Sequence, residues 1–155
     1  MKILGINHSN DAAAALVVDG RVIAASQEER FSRIKHDPAF PDKAIDFCLK
    51  TQGLKLGDLD AVAFFWNPGI HAEAPPRRLV NSVRHHLEYL YGVPSRLIPQ
   101  LGERVDRIEQ TVHLASGRKL AIHYLTHHLC HAAAAYFTSP FEDAAILTAD
   151  GYGER

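Results

Sequence analysis

With 155 residues, 46% of them apolar and 23% charged, the chain has the size and composition of one globular domain that can bury a sizeable core. A formal net charge of −1 gives no footing for a broad basic nucleic-acid surface, and the apolar run AAAALVV is far too short to cross a bilayer. The two cysteines, Cys48 and Cys130, form no CxxC pair and no targeting segment is visible, so a reduced, cytoplasmic protein without a disulfide framework is expected.

The opening KILGIN predicts a short apolar strand. AAAALVVDGRVIAASQEER predicts a hairpin, because two apolar runs flank Asp19-Gly20, a pair suited to a type I′ turn. The polar loop HSND joins the first two strands. EERFSRIKHD is dense in charge and reads as a solvated strand end, although Arg33 and Lys35 have the charge to neutralise a small phosphorylated substrate. FPDKAIDFCLKTQG predicts a helix with Pro41 in its first turn, Gly53 just past its end, and Ala44, Phe47, Cys48 and Leu49 near one face.

LDAVAFFW follows as a buried strand, with Trp66 at its end as a core residue. Residues 75 to 92 predict a helix with Leu79, Val83, Leu87 and Leu90 at helical spacing, and His85 and His86 read as surface residues. Arg104 to Val112 fits a helix or a strand. KLAIHYL is the next strand, Thr126 suits the N-cap of a helix over His127–Phe137, and SPFED ends that helix. AAILTAD is then expected as a further buried strand closing on Gly151. The succession predicts a layered α/β domain with a mixed sheet. A buried strand entering a turn at ADGYGER also predicts a fold that continues past Arg155.

The stretch THHLCH is the most informative for chemistry. Residues four apart on a helix share one face, so His127 and His131 stand one turn apart, while His128 points about 100° away and is free for another role. Imidazole must be neutral to bind a metal, and the positive end of a helix dipole favours the neutral form in the first turn. Ala132 to Ala135 leave room for a ligand or another backbone to approach. A third ligand is needed, and Asp150, acidic at the end of an apolar run, is the candidate; two histidines and a carboxylate suit Fe(II) or Zn. The same spacing is equally compatible with partly exposed histidines on a surface helix. Cys130 reads as a small buried residue.

HSND and DGYGE are polar turns that punctuate apolar runs, and backbone amides in such turns can cradle phosphate. Each alone is ordinary. The pair suggests the strand-turn elements with which duplicated nucleotide-binding domains clamp a phosphate tail.

Taken together, GINHSNDAAAALVVDGRVIAASQEERFSRIKHD, HHLCHAAAAYF and ILTADGYGE resemble the N-terminal region of the O-carbamoyltransferases of nodulation-factor and antibiotic biosynthesis. The resemblance covers the start and the last third of the chain. It implies transfer of a carbamoyl group from carbamoyl phosphate to a hydroxyl of a sugar or natural product, through a carbamoyl-adenylate made with ATP and Mg. It implies a ribonuclease-H-like domain of the actin, sugar-kinase and heat-shock-70 superfamily, similar to the tRNA threonylcarbamoyl-transfer enzymes. Residues 1–155 would be the first half of that duplicated fold; its second half, and a YrdC-type domain that makes the adenylate, would lie elsewhere.

Carried over residue by residue, the resemblance makes His127 and His131 metal ligands and leaves His128 to contact substrate. Asp150 and Gly151 form the family's Asp-Gly turn, where Asp150 would touch metal or nucleotide, with Asp11 on the nucleotide side of the first loop. Lys35 would contact substrate. Many relatives read His-Asp-Ala where this chain reads Asn10-Asp11-Ala12; an amide is no base, so His8 would replace that histidine in removing the acceptor's proton, with Asn10 beside it. The expected partners are small molecules, with no nucleic acid or membrane, and a second chain or another copy supplying the missing half. Two other readings stay open: a kinase or ATPase of the same superfamily, and a non-catalytic remnant that acts as a binding module.

Overall fold

The hairpin at the start of the chain organises the sheet. The computed structural model describes residues 1–9, 11–66 and 107–150. Strand β1 (Lys2–Asn7) lies antiparallel to β2 (Ala13–Val18), which lies antiparallel to β3 (Arg21–Gln27). Asp19 and Gly20 both take positive φ, 48° and 79°, as a type I′ turn requires. The terminal ammonium of Met1 pairs with the Asp19 carboxylate and keeps it ionised below the usual carboxylate range. A register shift at Leu16/Val17 bulges the β2–β3 ladder.

β4 (Ala61–Phe64) pairs parallel to β1, so the sheet is mixed. The segment from Arg104 to Val112 resolves as a strand, β5 (Arg107–His113), joined through Leu114–Arg118 to β6 (Lys119–Leu125). The six strands run in the order β3-β2-β1-β4-β6-β5.

α1 (Glu29–Ser32) is a single turn, where the charged stretch had suggested only a strand end. α2 (Asp42–Lys50) starts after Pro41, and Gly53 sits beyond it with φ 62°. The helix packs on β2 and β3. Ala44, Cys48 and Leu49 join Leu4, Ala14, Leu16, Ala24, Leu59, Val62 and Leu120 in the core. Phe47 departs from the expectation: it is exposed, and its ring lies 5.6 Å from that of Phe31 on α1. One turn of α1 gives it a surface partner that the sequence period alone does not reveal. Burial raises the Cys48 thiol pKa.

Contacts divide the chain into two units, Met1–Phe65 with Glu109–His123, and Trp66–Ile108 with Tyr124–Arg155. The core above belongs to the first. The second contains α3 (His127–Phe137), whose bounds match the expectation. Thr126 occupies the N-cap position in extended conformation, without a side-chain capping bond. AAILTAD is not a strand: no strand among the described residues pairs with it, and Leu147 is 92% exposed. An apolar run becomes a strand only when a neighbour supplies its ladder. The helix expected over residues 75 to 92, His85, His86, Asn10 and Gly151 lie outside the described residues.

Candidate metal centre

α3 begins where Thr126 turns the chain out of β6, which puts His127 in the first helical turn and His131 one turn on. Four consecutive alanines, strong helix formers, carry the helix onward. At its end the chain folds back. The Ser139 hydroxyl donates to the Tyr136 carbonyl at 2.8 Å and accepts from Phe141 N–H at 3.3 Å, while the Tyr136 hydroxyl donates to the Glu142 carbonyl.

Asp150 comes back against the helix start. Its Oδ2 lies 2.8 Å from His127 Nε2 and 2.9 Å from His131 Nε2, and the two Nε2 atoms are 2.9 Å apart. The rings meet edge to face with centroids 4.4 Å apart. His127 is the most enclosed, with its side chain 20% exposed against 30% for Asp150 and 52% for His131. The buried ring of Trp66 meets His127 edge-on at 5.8 Å.

While Asp150 is ionised, no distribution of protons suits this triangle. Each Nε2 carries at most one hydrogen, and a carboxylate only accepts. If both nitrogens are protonated and donate to Asp150, two N–H groups face each other across 2.9 Å. If one is bare so that it accepts from the other, its lone pair faces the carboxylate. A cation bound to three lone pairs resolves the conflict, so the donor set fits a metal on its own chemistry. The histidines are partly exposed on a helix with no buried residue, as the alternative has it, and the Nε2 atoms of both rings also converge on one oxygen.

The other expected site residues are more dispersed. His128 turns away as the helical period requires, its ring 6.0 Å from that of His127, and its Nε2 is buried with no hydrogen-bond partner. In the first unit, His8 Nε2 lies 3.1 Å from the Pro38 carbonyl, and its ring meets Phe40 edge-on. Lys35 is exposed. Asp11 Oδ1 is 2.7 Å from His36 Nδ1. His36 was missed in the sequence, since the partner lies 25 residues away and only the fold joins them.

The model for the carbamoyltransferase N-terminus family matches residues 2–155. The uncharacterized protein sll1178 of Synechocystis is 36% identical over 98% of this chain and 26% of its own length. Nodulation protein NolNO of Sinorhizobium fredii is 36% identical over 94% of this chain and 20% of its own length. Among solved structures, an uncharacterized Pseudomonas aeruginosa protein with similarity to peptidase YEAZ aligns over 77% of this chain and 62% of its own, with 17% identity and a TM-score of 0.32, too low to bear on the fold. The chain thus spans about a quarter or less of the length of these curated relatives. A family model that matches nearly every residue settles the lineage: the chain belongs to the carbamoyltransferase N-terminus family.

Proposed function

We propose that this chain is the metal-binding part of an enzyme that carbamoylates a hydroxyl of a sugar or natural product. In this reading carbamoyl phosphate is the donor, activated with ATP and Mg as a carbamoyl-adenylate. The observation that carries it is the convergence of His127, His131 and an Asp150 carboxylate on one point, an arrangement that protons do not satisfy while the carboxylate is ionised. Family membership supports the group transferred; the donor, acceptor and partners are part of the proposal.

A set of two histidines and one carboxylate suits Fe(II) or Zn. Bound there, the cation would supply Lewis acidity toward a carbonyl or phosphate oxygen of the donor.

The chain's own residues set the conditions for that chemistry. As ligands, His127 and His131 would each offer a ring nitrogen and Asp150 the carboxylate of the set. Trp66 covers one flank of His127 and keeps water from it. His128 offers a buried ring nitrogen that a bound donor can satisfy. Lys35, exposed and cationic, would attract an anionic donor. The antiparallel ribbon β1–β3 continued by parallel β4 supports the ribonuclease-H-like reading of the sheet, and with it the first half of a duplicated fold.

The test is transfer of carbamoyl from carbamoyl phosphate and ATP to sugar hydroxyls, with and without metal. Asp150→Asn should weaken metal binding by tenfold or more, on the order of the loss seen when a metal site's support is removed. It should lower transfer in parallel. Transfer that persists unchanged after metal removal would refute the reading.

A further inference from the structure

The three residues of the centre are not held equally. α3 has no buried residue, so the helix alone gives little to fix a side chain that projects from it. Among the described residues, three rings meet that of His127. Those of His128 and His131 come from α3 itself, and that of Trp66 comes from outside the helix. Trp66 is 6% exposed, while the side chains of Asp150 and His131 are 30% and 52% exposed. Trp66 and α3 belong to the same compact unit. The indole is thus the buried wall against which the His127 ring rests, and the more exposed His131 and Asp150 meet that ring from its other side.

Orientation matters for this ligand. A half-turn of the imidazole about its Cβ–Cγ bond exchanges Nε2 with Cε1, so a flipped ring turns a C–H toward Asp150 and offers no lone pair there. The indole packed at 5.8 Å, with the two ring planes at 60°, opposes that half-turn. A ligand ring whose rotamer is already fixed loses little freedom when a metal binds, and affinity rises accordingly.

We propose that Trp66 is a positioning residue of the metal centre: its indole holds the His127 ring with Nε2 toward His131 and Asp150 before the cation arrives. The proposal rests on the metal reading of those three residues and goes beyond the screening of water. It assigns Trp66 no contact with the metal or with a substrate. Its effect passes through His127 alone.

The test uses Co(II) by itself, as a spectroscopic stand-in for Fe(II) or Zn whose visible bands report the number and kind of its ligands. Trp66 is the one tryptophan of the chain, so tryptophan emission reports on this residue only. In the unaltered protein Co(II) should quench that emission in step with the growth of the visible bands. Trp66→Phe keeps a flat ring at the contact, and Trp66→Leu keeps apolar bulk without one. The Phe variant should bind Co(II) with a Kd within about threefold of the unaltered protein. The Leu variant should bind about tenfold or more weakly, the loss usual when the support of a metal ligand is removed, with altered visible bands.

A Leu variant, folded by circular dichroism, that binds Co(II) as tightly as the unaltered protein would overturn the proposal. Equal weakening in the Phe and Leu variants would make the contact one of packing rather than of ring orientation, and would overturn it too. So would unaltered protein that develops the Co(II) bands with no loss of tryptophan emission, a result that depends on no variant folding. In each of these cases the metal centre itself stands, because the unaltered protein binds. Unaltered protein that takes up no Co(II) refutes the metal reading first, and the role of Trp66 with it.

Discussion

His127 and His36 show how much a single proton decides. Both imidazoles stand within hydrogen-bond reach of an aspartate, yet one belongs to a triangle that protons do not satisfy around an ionised carboxylate and the other to a pair that they satisfy fully. The first arrangement suits a cation; the second needs none. Cys48 is the residue-scale counterexample, a reactive side chain made inert by burial. It is fully buried, its thiol reaches toward the Ala14 carbonyl at 3.5 Å, and desolvation raises its pKa. Native protein should therefore leave Cys48 unmodified by a disulfide reagent on a timescale of minutes, with reaction only on unfolding. Fast modification of Cys48 in native protein would contradict the packing.

At the scale of elements, the stretch from Glu28 to Phe40 shapes the surface beside the hairpin. Glu28 is buried and its Oε2 accepts the Ala44 N–H of α2's first turn at 2.9 Å, while its own amide donates to Ala12. Glu28→Ala strands that amide and should destabilise the fold by about 2 kcal/mol in urea unfolding, as expected for a hydrogen bond to a charged group. A change within about 0.5 kcal/mol would mean that water replaces the carboxylate. Asp37, beside His36, is bonded by the Ser32 side chain and by the Ala39 amide at 2.9 Å, which holds its pKa below the ordinary value. A depressed folded pKa contributes stability above the unfolded value and loses it as pH falls through the folded one. Stability should thus decline on acidification below about pH 4, and Asp37→Asn should flatten that decline.

The elements also show what a sequence makes legible. The Asp19-Gly20 turn, the bounds of α3 and the one-turn spacing of His127 and His131 are local, fixed by turn chemistry and helical period, and all three stand as read. Asp150 does converge on those rings, but the strand expected to carry it is irregular backbone. Apolar content alone does not make a strand. Phe47 lies on the surface because α1 gives it Phe31, and α1 itself was hidden in a run of charges. His36 could not be singled out, because its meaning depends on Asp11, 25 residues away.

At the scale of the molecule, the chain combines a six-stranded mixed sheet in one unit with a histidine–carboxylate centre in the other. It matches its family along nearly its full length while it spans 26% and 20% of two curated relatives. Metal analysis of the purified protein tests the central assignment most directly. The unaltered chain should carry about one equivalent of Fe(II) or Zn, and the His127→Ala/His131→Ala double variant, folded by circular dichroism, should carry less than about a tenth of that. A double variant that retains the full equivalent would contradict the centre, as would unaltered protein that stays metal-free when refolded with Fe(II) or Zn.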